Sequence, residues 1–261
     1  MRLCTFEVST HVGRHSRVGA FKDGRIIDLN FATAWNLAQQ GESEPQQLAD
    51  ALVPSAMLEF LRAGLRAMHT AEELFMGASP PADWWKAPTP PRGPNDETLV
   101  YTPDQIRLRA PLPNPARLGT DEEVRVTDKI EPELKLAAVI GRQGMNIAAL
   151  EARGYIGGFT GMNDIGARYS ALGPCLVTPD EIGNPYALEI VVRINNQEFA
   201  RTTSASLRPK FENTIESLSA NDVVLPGDVI AFQLDVDPPV KCGDVIELEI
   251  EKIGTLRTRV V

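Results

Sequence analysis

The chain has 261 residues and a mass of 28.5 kDa, enough for one large or two modest domains with a sizeable core. With 43% hydrophobic and 23% charged residues it reads as globular, and no window approaches the ~18 uninterrupted apolar residues of a membrane span. The net charge of −9 is spread evenly, 9 Lys and Arg against 13 Asp and Glu over residues 1–105 and 17 against 22 over residues 106–261, which excludes a basic surface for nucleic acid or anionic membrane.

The first residues carry an acid at Glu7 and lack the apolar core and small-residue cleavage site of a signal peptide, so a cytoplasmic location is expected. Cys4, Cys175 and Cys242 are odd in number and far apart, which fits neither a disulfide framework nor a cysteine zinc site. Residues 18–29 predict a hairpin turning at Lys22, Asp23 and Gly24, because Asp-Gly readily takes the positive φ of tight turns. Leu58, Leu61, Leu65 and Met68 recur at helical spacing, and Thr70 with Glu73 has capping-box spacing for a second short helix. Ten of the 20 prolines fall between Pro80 and Pro115, a stretch that reads as an extended linker because proline removes backbone donors and fixes φ.

After the linker strand signals dominate. Residues 188–194 and 197–203 flank Asn195-Asn196, and Ile246, Leu248 and Ile250 alternate with Glu247, Glu249 and Glu251. Gly227-Asp228 and Gly243-Asp244 each launch an apolar strand. Phe211, Ile215 and Leu218 predict one amphipathic helix, and Asn146 is placed to cap another over residues 147–153.

Glycines 154, 157, 158, 161 and 166 surround Thr160-Gly-Met-Asn-Asp164; backbone under a ligand and a bulged barrel strand both account for that density. Gly141 and Gly144 have the wrong spacing for a dinucleotide fingerprint, and no Walker lysine motif occurs. His11, His15 and His69 all precede the linker, so acid-base work in the β-rich half falls to carboxylates, Lys or Tyr. Residues 134–140 read as a strand, which puts Glu133 and Lys135 on one face and Leu134 and Leu136 on the other. An exposed salt bridge worth ~0–1 kcal/mol explains that pair as readily as a site does.

Several motifs occur in order along the chain: the Met1-Arg-Leu3 start, Ala110-Pro-Leu-Pro-Asn-Pro115, Glu133-Leu-Lys-Leu-Ala-Ala-Val-Ile-Gly141, Gly158-Phe-Thr-Gly-Met-Asn-Asp164 with Arg168, Gly173-Pro-Cys-Leu-Val-Thr-Pro-Asp-Glu181, Leu225-Pro-Gly-Asp-Val-Ile230 and Ile253-Gly-Thr-Leu-Arg257. Together they resemble the fumarylacetoacetate hydrolase family. The resemblance implies a β-rich α+β fold, with a small N-terminal α+β domain and linker (residues 1–105, the linker over about 80–115) and a C-terminal mixed β-roll or barrel (residues 106–261). It also implies a homodimer, a small carbonyl substrate and a divalent cation, Mg²⁺, Mn²⁺ or Ca²⁺, that grips a 2-oxo carboxylate.

In the family a Glu-x-Glu strand motif and a later Asp hold the metal. A gap-free alignment puts the first Glu on Glu133, the second on Lys135 and the Asp on Asp164, so one ligand has become a lysine. A rival register uses Glu131 and Glu133, at the expense of two extra residues and Pro132 between the ligands. Three carboxylates with a divalent ion and two carboxylates with an ammonium both leave one net negative charge. At ~4 Å and an effective dielectric near 20 each carboxylate attracts the ammonium by about 4 kcal/mol before desolvation. Lys135 therefore stands in for a ligand and for the cation. The family's water-activating His-x-x-Glu dyad, its lid-proximal Lys and its Thr-Gly-Thr-Pro loop have no counterpart here; Phe232-Gln-Leu-Asp-Val-Asp237 replaces the last.

The leading expectation is an isomerase, lyase or cyclase that stabilises an enolate with Lys135, moves a proton with Glu133 or Asp164 and braces the pocket with Arg168, without a metal or with one weakly bound. The alternatives are a non-catalytic binding or partner homologue, and a conventional metal-dependent hydrolase with Glu131, Glu133 and Asp164 as ligands.

Overall fold

The structure is a computed structural model that describes residues 1–11, 13–75, 84–87, 91–112, 117–125, 131–165 and 169–261. They fall into two compact units, Met1–Arg107 and Leu108–Val261. No described helix is long and apolar enough to cross a membrane.

The first unit opens with antiparallel strands β1 (Arg2–Thr10), β2 (Gly13–Lys22) and β3 (Arg25–Asp28). The turn after β2 is the expected one: Asp23 and Gly24 take φ of 50° and 74°, and Lys22 pairs with Arg25. Asp28 ends β3 and caps α1 (Leu29–Gln39), its carboxylate accepting from the Phe31 amide at 3.0 Å. The second helix, α2 (Pro45–Leu52), starts on a proline that has no amide to leave unpaired. The periodic set Leu58, Leu61, Leu65 and Met68 is split between α3 (Met57–Arg62) and α4 (Gly64–Phe75), because Gly64 at φ 68° breaks the helix. Thr70 and Glu73 consequently lie inside α4 and cap nothing.

A short strand, β4 (Val100–Tyr101), adds to β3. Part of the expected linker, residues 80–83, 88–90 and 113–115, lies outside the described residues. Trp84 and Trp85 are buried, with the Trp84 ring centroid 5.1 Å from that of Trp35, so this described part is core of the first unit and no spacer. The strand β5 (Arg107–Arg109) stands at the boundary.

The second unit begins with β6 (Arg117–Leu118), β7 (Glu122–Val124), β8 (Pro132–Ile140), β9 (Ile156–Ile165) and β10 (Tyr169–Val177), then the short helix α5 (Pro179–Ile182). It continues with β11 (Glu189–Ile194), β12 (Gln197–Thr203), α6 (Phe211–Ser219), β13 (Val229–Gln233), β14 (Val245–Ile250) and β15 (Gly254–Val260). In place of a closed barrel these strands form two open sheets. One runs β13, β8, β9, β10, with β6 parallel beside β10; the other runs β12, β11, β14, β15, β7.

The two sheets face each other across a core in which Asn163 donates to Thr258 Oγ1 at 3.0 Å, both residues fully buried. At one end of it, Phe211 of α6 lies 5.5 Å from Phe159 and 4.8 Å from Phe232. The Gly-Asp echo is one turn used twice. Gly227 and Gly243 both take φ of 96°, Asp228 accepts from the Leu225 amide at 2.8 Å, and Asp244 accepts from the Lys241 amide at 3.0 Å. The helix expected behind Asn146 is absent. Asn146 sits at φ 52° and its amide bonds to the Ser219 carbonyl, while Gly144 bridges to Val224, so long-range bonds take up the start of this segment, and only a short turn over 148–151 leads into a 3₁₀ turn at Ala152–Tyr155.

Candidate active site

Strand β8 is shared between two neighbours, and its register decides which side chains meet. It pairs with β9 residue by residue from Pro132 opposite Ile165 to Val139 opposite Gly158, which sets Glu133 against Asp164 and Lys135 against Met162. On the other side β13 sets Gln233 against Lys135. Strand β10 returns antiparallel to β9 and sets Ser170 against Asp164. Side chains directly opposite share a face, so Glu133, Lys135, Asp164, Met162, Gln233 and Ser170 line one surface patch. Leu134 and Leu136 point into the core between the sheets.

At the centre, Lys135 Nζ lies 2.7 Å from Glu133 Oε2 and donates a hydrogen bond to Asp164 Oδ2. Asp164 Oδ1 accepts from the Ser170 hydroxyl. The Lys135 side chain is 17% exposed, Asp164 23% and Glu133 50%. Burial works against the charged form of Lys135, but the hydrogen bonds and charges of Asp164 and Glu133 outweigh it and hold the ammonium above the ordinary lysine range. An ammonium has three N–H bonds. Among the described residues two of them are engaged, which leaves one for a ligand oxygen.

The structure thus brings together Glu133, Lys135 and Asp164. Glu131 is exposed one residue before β8, whose pairing up to Val139 contains no bulge; the extra residue at the far end, Gly157, belongs to β9. Arg168 lies outside the described residues. Ser170, Met162 and Gln233 were not singled out in the sequence. Only a hairpin register closing Ile165 on Tyr169 would have found Ser170 opposite Asp164. Of the crowded glycines, Gly158 and Gly161 are explained by packing: an added Cβ would stand 2.6 Å from Leu176 Cγ at the first and 3.0 Å from the Gly173 carbonyl at the second.

The donor set does not fit a divalent cation. Mg²⁺ and Ca²⁺ take oxygen ligands, and the space between Glu133 and Asp164 is filled by an ammonium that would repel them. Among the described residues no group of three or more His, Cys, Asp or Glu is placed to hold a metal ion.

Comparisons with known proteins identify the family. Oxaloacetate tautomerase FAHD2B, mitochondrial, of Homo sapiens is 26% identical over 305 aligned positions that cover 100% of this chain and 92% of that protein. The alignment is longer than this chain, so the relative carries stretches with no counterpart here. Oxaloacetate tautomerase YisK of Bacillus subtilis (strain 168) is 23% identical, over 91% of this chain and 93% of its own. Maleylpyruvate hydrolase from Sphingobium sp. SYK-6, solved in complex with manganese (II) ion and pyruvate, has the same fold, with a TM-score of 0.72 at 19% identity over 100% of this chain and 99% of that one. The family model described as Fumarylacetoacetate (FAA) hydrolase C-terminal matches residues 64–170 and 167–261. That match takes in both strands of the lysine site, and the chain belongs to the fumarylacetoacetate hydrolase family.

Proposed function

We propose that this protein is an enzyme that interconverts the keto and enol forms of a small 2-oxo acid, with the Lys135 ammonium as the cation that receives the enolate oxygen. The observation that carries this reading is Lys135 Nζ held between Glu133 and Asp164 with one N–H unspent. A carboxylate beside it removes a proton from the carbon next to the carbonyl. The C–H electron pair becomes the C=C bond, and the carbonyl oxygen takes the negative charge against the ammonium. A fixed charge aimed at developing charge in a partly dry site is among the strongest catalytic devices. Gln233, opposite Lys135, offers an amide to the substrate's carboxylate.

Isomerisation suits the site better than hydrolysis. No histidine follows His69, so the family's water-activating His-Glu pair has no counterpart in the second unit. Relatives named oxaloacetate tautomerases support the same choice. The family's homodimer is carried over with this proposal; sedimentation showing only a 28.5 kDa species at micromolar concentration would remove it.

The test is enol-to-keto equilibration of oxaloacetate, followed by the enol's ultraviolet absorbance. Wild type accelerates it, and Lys135→Met, which keeps length and removes charge, abolishes the acceleration while the circular dichroism spectrum is retained. An active Lys135→Met variant would rule the reading out.

A further inference from the structure

The two carboxylates that flank Lys135 are built differently. Asp164 sits on a central strand, paired on one side with Glu133 and on the other with Ser170. Both its oxygens are engaged, Oδ1 by the Ser170 hydroxyl and Oδ2 by the Lys135 ammonium, and its side chain is three-quarters buried. Glu133 stands one residue from the start of β8 and half exposed, and among the described residues only its Oε2 has a partner, Lys135 at 2.7 Å. It also has one more rotatable bond than Asp164. Taking a proton from carbon needs an oxygen with a free lone pair and room to approach.

We infer that Glu133 is the group that carries the proton between substrate carbon and Lys135, that Asp164 is the fixed counter-charge that aims the ammonium, and that Ser170 is a positioning residue acting through Asp164. The inference rests on the proposed tautomerisation and divides its labour. In the keto-to-enol direction the substrate C–H bond breaks and its proton goes to Glu133. Lys135 donates a proton to the enolate oxygen, forming the O–H bond of the enol. Glu133, within hydrogen-bond distance of Nζ, then returns its proton to Lys135. One C–H bond is lost and one O–H bond gained, both side chains end as they began, and no further reactant is consumed.

The experiment compares the full-length wild type with Glu133→Gln, Asp164→Asn, Ser170→Ala and Ser170→Thr in the oxaloacetate assay, with kcat and KM separated and folding followed by circular dichroism. Glu133→Gln is expected to lose kcat by ~10²–10⁴-fold, the usual range for a general base, with KM little changed. Ser170→Ala should lose kcat about 10-fold, in the range expected for an outer hydrogen-bond partner, again with KM little changed. Ser170→Thr, which keeps the hydroxyl, should restore it. Asp164→Asn should retain more kcat than Glu133→Gln. The assignment is overturned if Glu133→Gln keeps near wild-type kcat, if Asp164→Asn falls below Glu133→Gln, or if Ser170→Ala and Ser170→Thr behave alike. A wild type that does not act on oxaloacetate, pyruvate or related 2-oxo acids overturns the tautomerase reading and this division with it. An active wild type with an active Glu133→Gln overturns the division alone.

Discussion

On the gap-free register that the family resemblance implies, Lys135 carries a positive charge where the motif carries a negative one, and the two flanking carboxylates make that tolerable. Charges drawn from water are costly unless paired, and this ammonium has two partners in contact. Reversing its sign should therefore change what the site binds. Lys135→Glu is expected to gain Mg²⁺ or Mn²⁺ affinity over wild type in calorimetric titration, since it rebuilds a three-carboxylate donor set with Glu133 and Asp164. Without metal the same variant should lose about 1–3 kcal/mol in denaturant unfolding, because three neighbouring carboxylates repel one another. Tight Mg²⁺ binding by wild type with no gain in Lys135→Glu would instead make Glu131 the missing ligand and Lys135 a bystander.

The hairpin of β11 and β12 turns on two asparagines in left-handed conformation, Asn195 at φ 53° and Asn196 at φ 65°. They are not equivalent. Asn195 donates to Asp244 at 2.8 Å and accepts from the Val245 amide at 2.9 Å, which ties the turn to the start of β14. Asn196→Gly should leave thermal stability unchanged or slightly raised, whereas Asn195→Gly should cost about 1–2 kcal/mol for two lost bonds. In α6 the first turn depends on Tyr186, whose hydroxyl accepts from the Phe211 amide at 2.7 Å and donates to Glu212. Burial, and after it the Glu212 carboxylate, push that phenol above the ordinary tyrosine range. An unfolded tyrosine loses its proton near pH 10 while the folded one keeps it, so stability falls as pH climbs above about 10. Tyr186→Phe should be less stable at neutral pH and show a shallower alkaline decline, measured by urea unfolding between pH 8 and 11.

Across the second unit, backbone crowding marks where strands close on one another. An added Cβ on Gly158 would stand 2.6 Å from Leu176 Cγ and 2.9 Å from the Val177 carbonyl, the second a backbone atom and not the end of a flexible side chain. Gly158→Ala should thus cost about 1–3 kcal/mol in denaturant unfolding; a neutral result would show that β9 and β10 can separate without penalty. Features set by single residues and near neighbours were legible in the sequence: the Asp23-Gly24 and Asn195-Asn196 turns, the two Gly-Asp strand starts, and the shared face of Glu133 and Lys135. Such preferences are local, belonging to φ and to the two-residue period of a strand. Helix α1 was not legible, because Asn30 and Thr33 interrupt its apolar pattern: Thr33 bonds back to the Leu29 carbonyl within the helix, whereas Asn30 is satisfied by Arg17, Gln46, Asp50 and Val53, which meet it once the fold has formed. Nor did the glycine-rich stretch around Thr160 reveal whether it serves a ligand or close packing. The meeting of Asp164 with Lys135 was reached only through family resemblance, and that of Asp164 with Ser170 not at all. Periodicity assigns a residue to a face, but which residue stands opposite it depends on the register between strands, and that register is decided by the packing of both sheets over their common core.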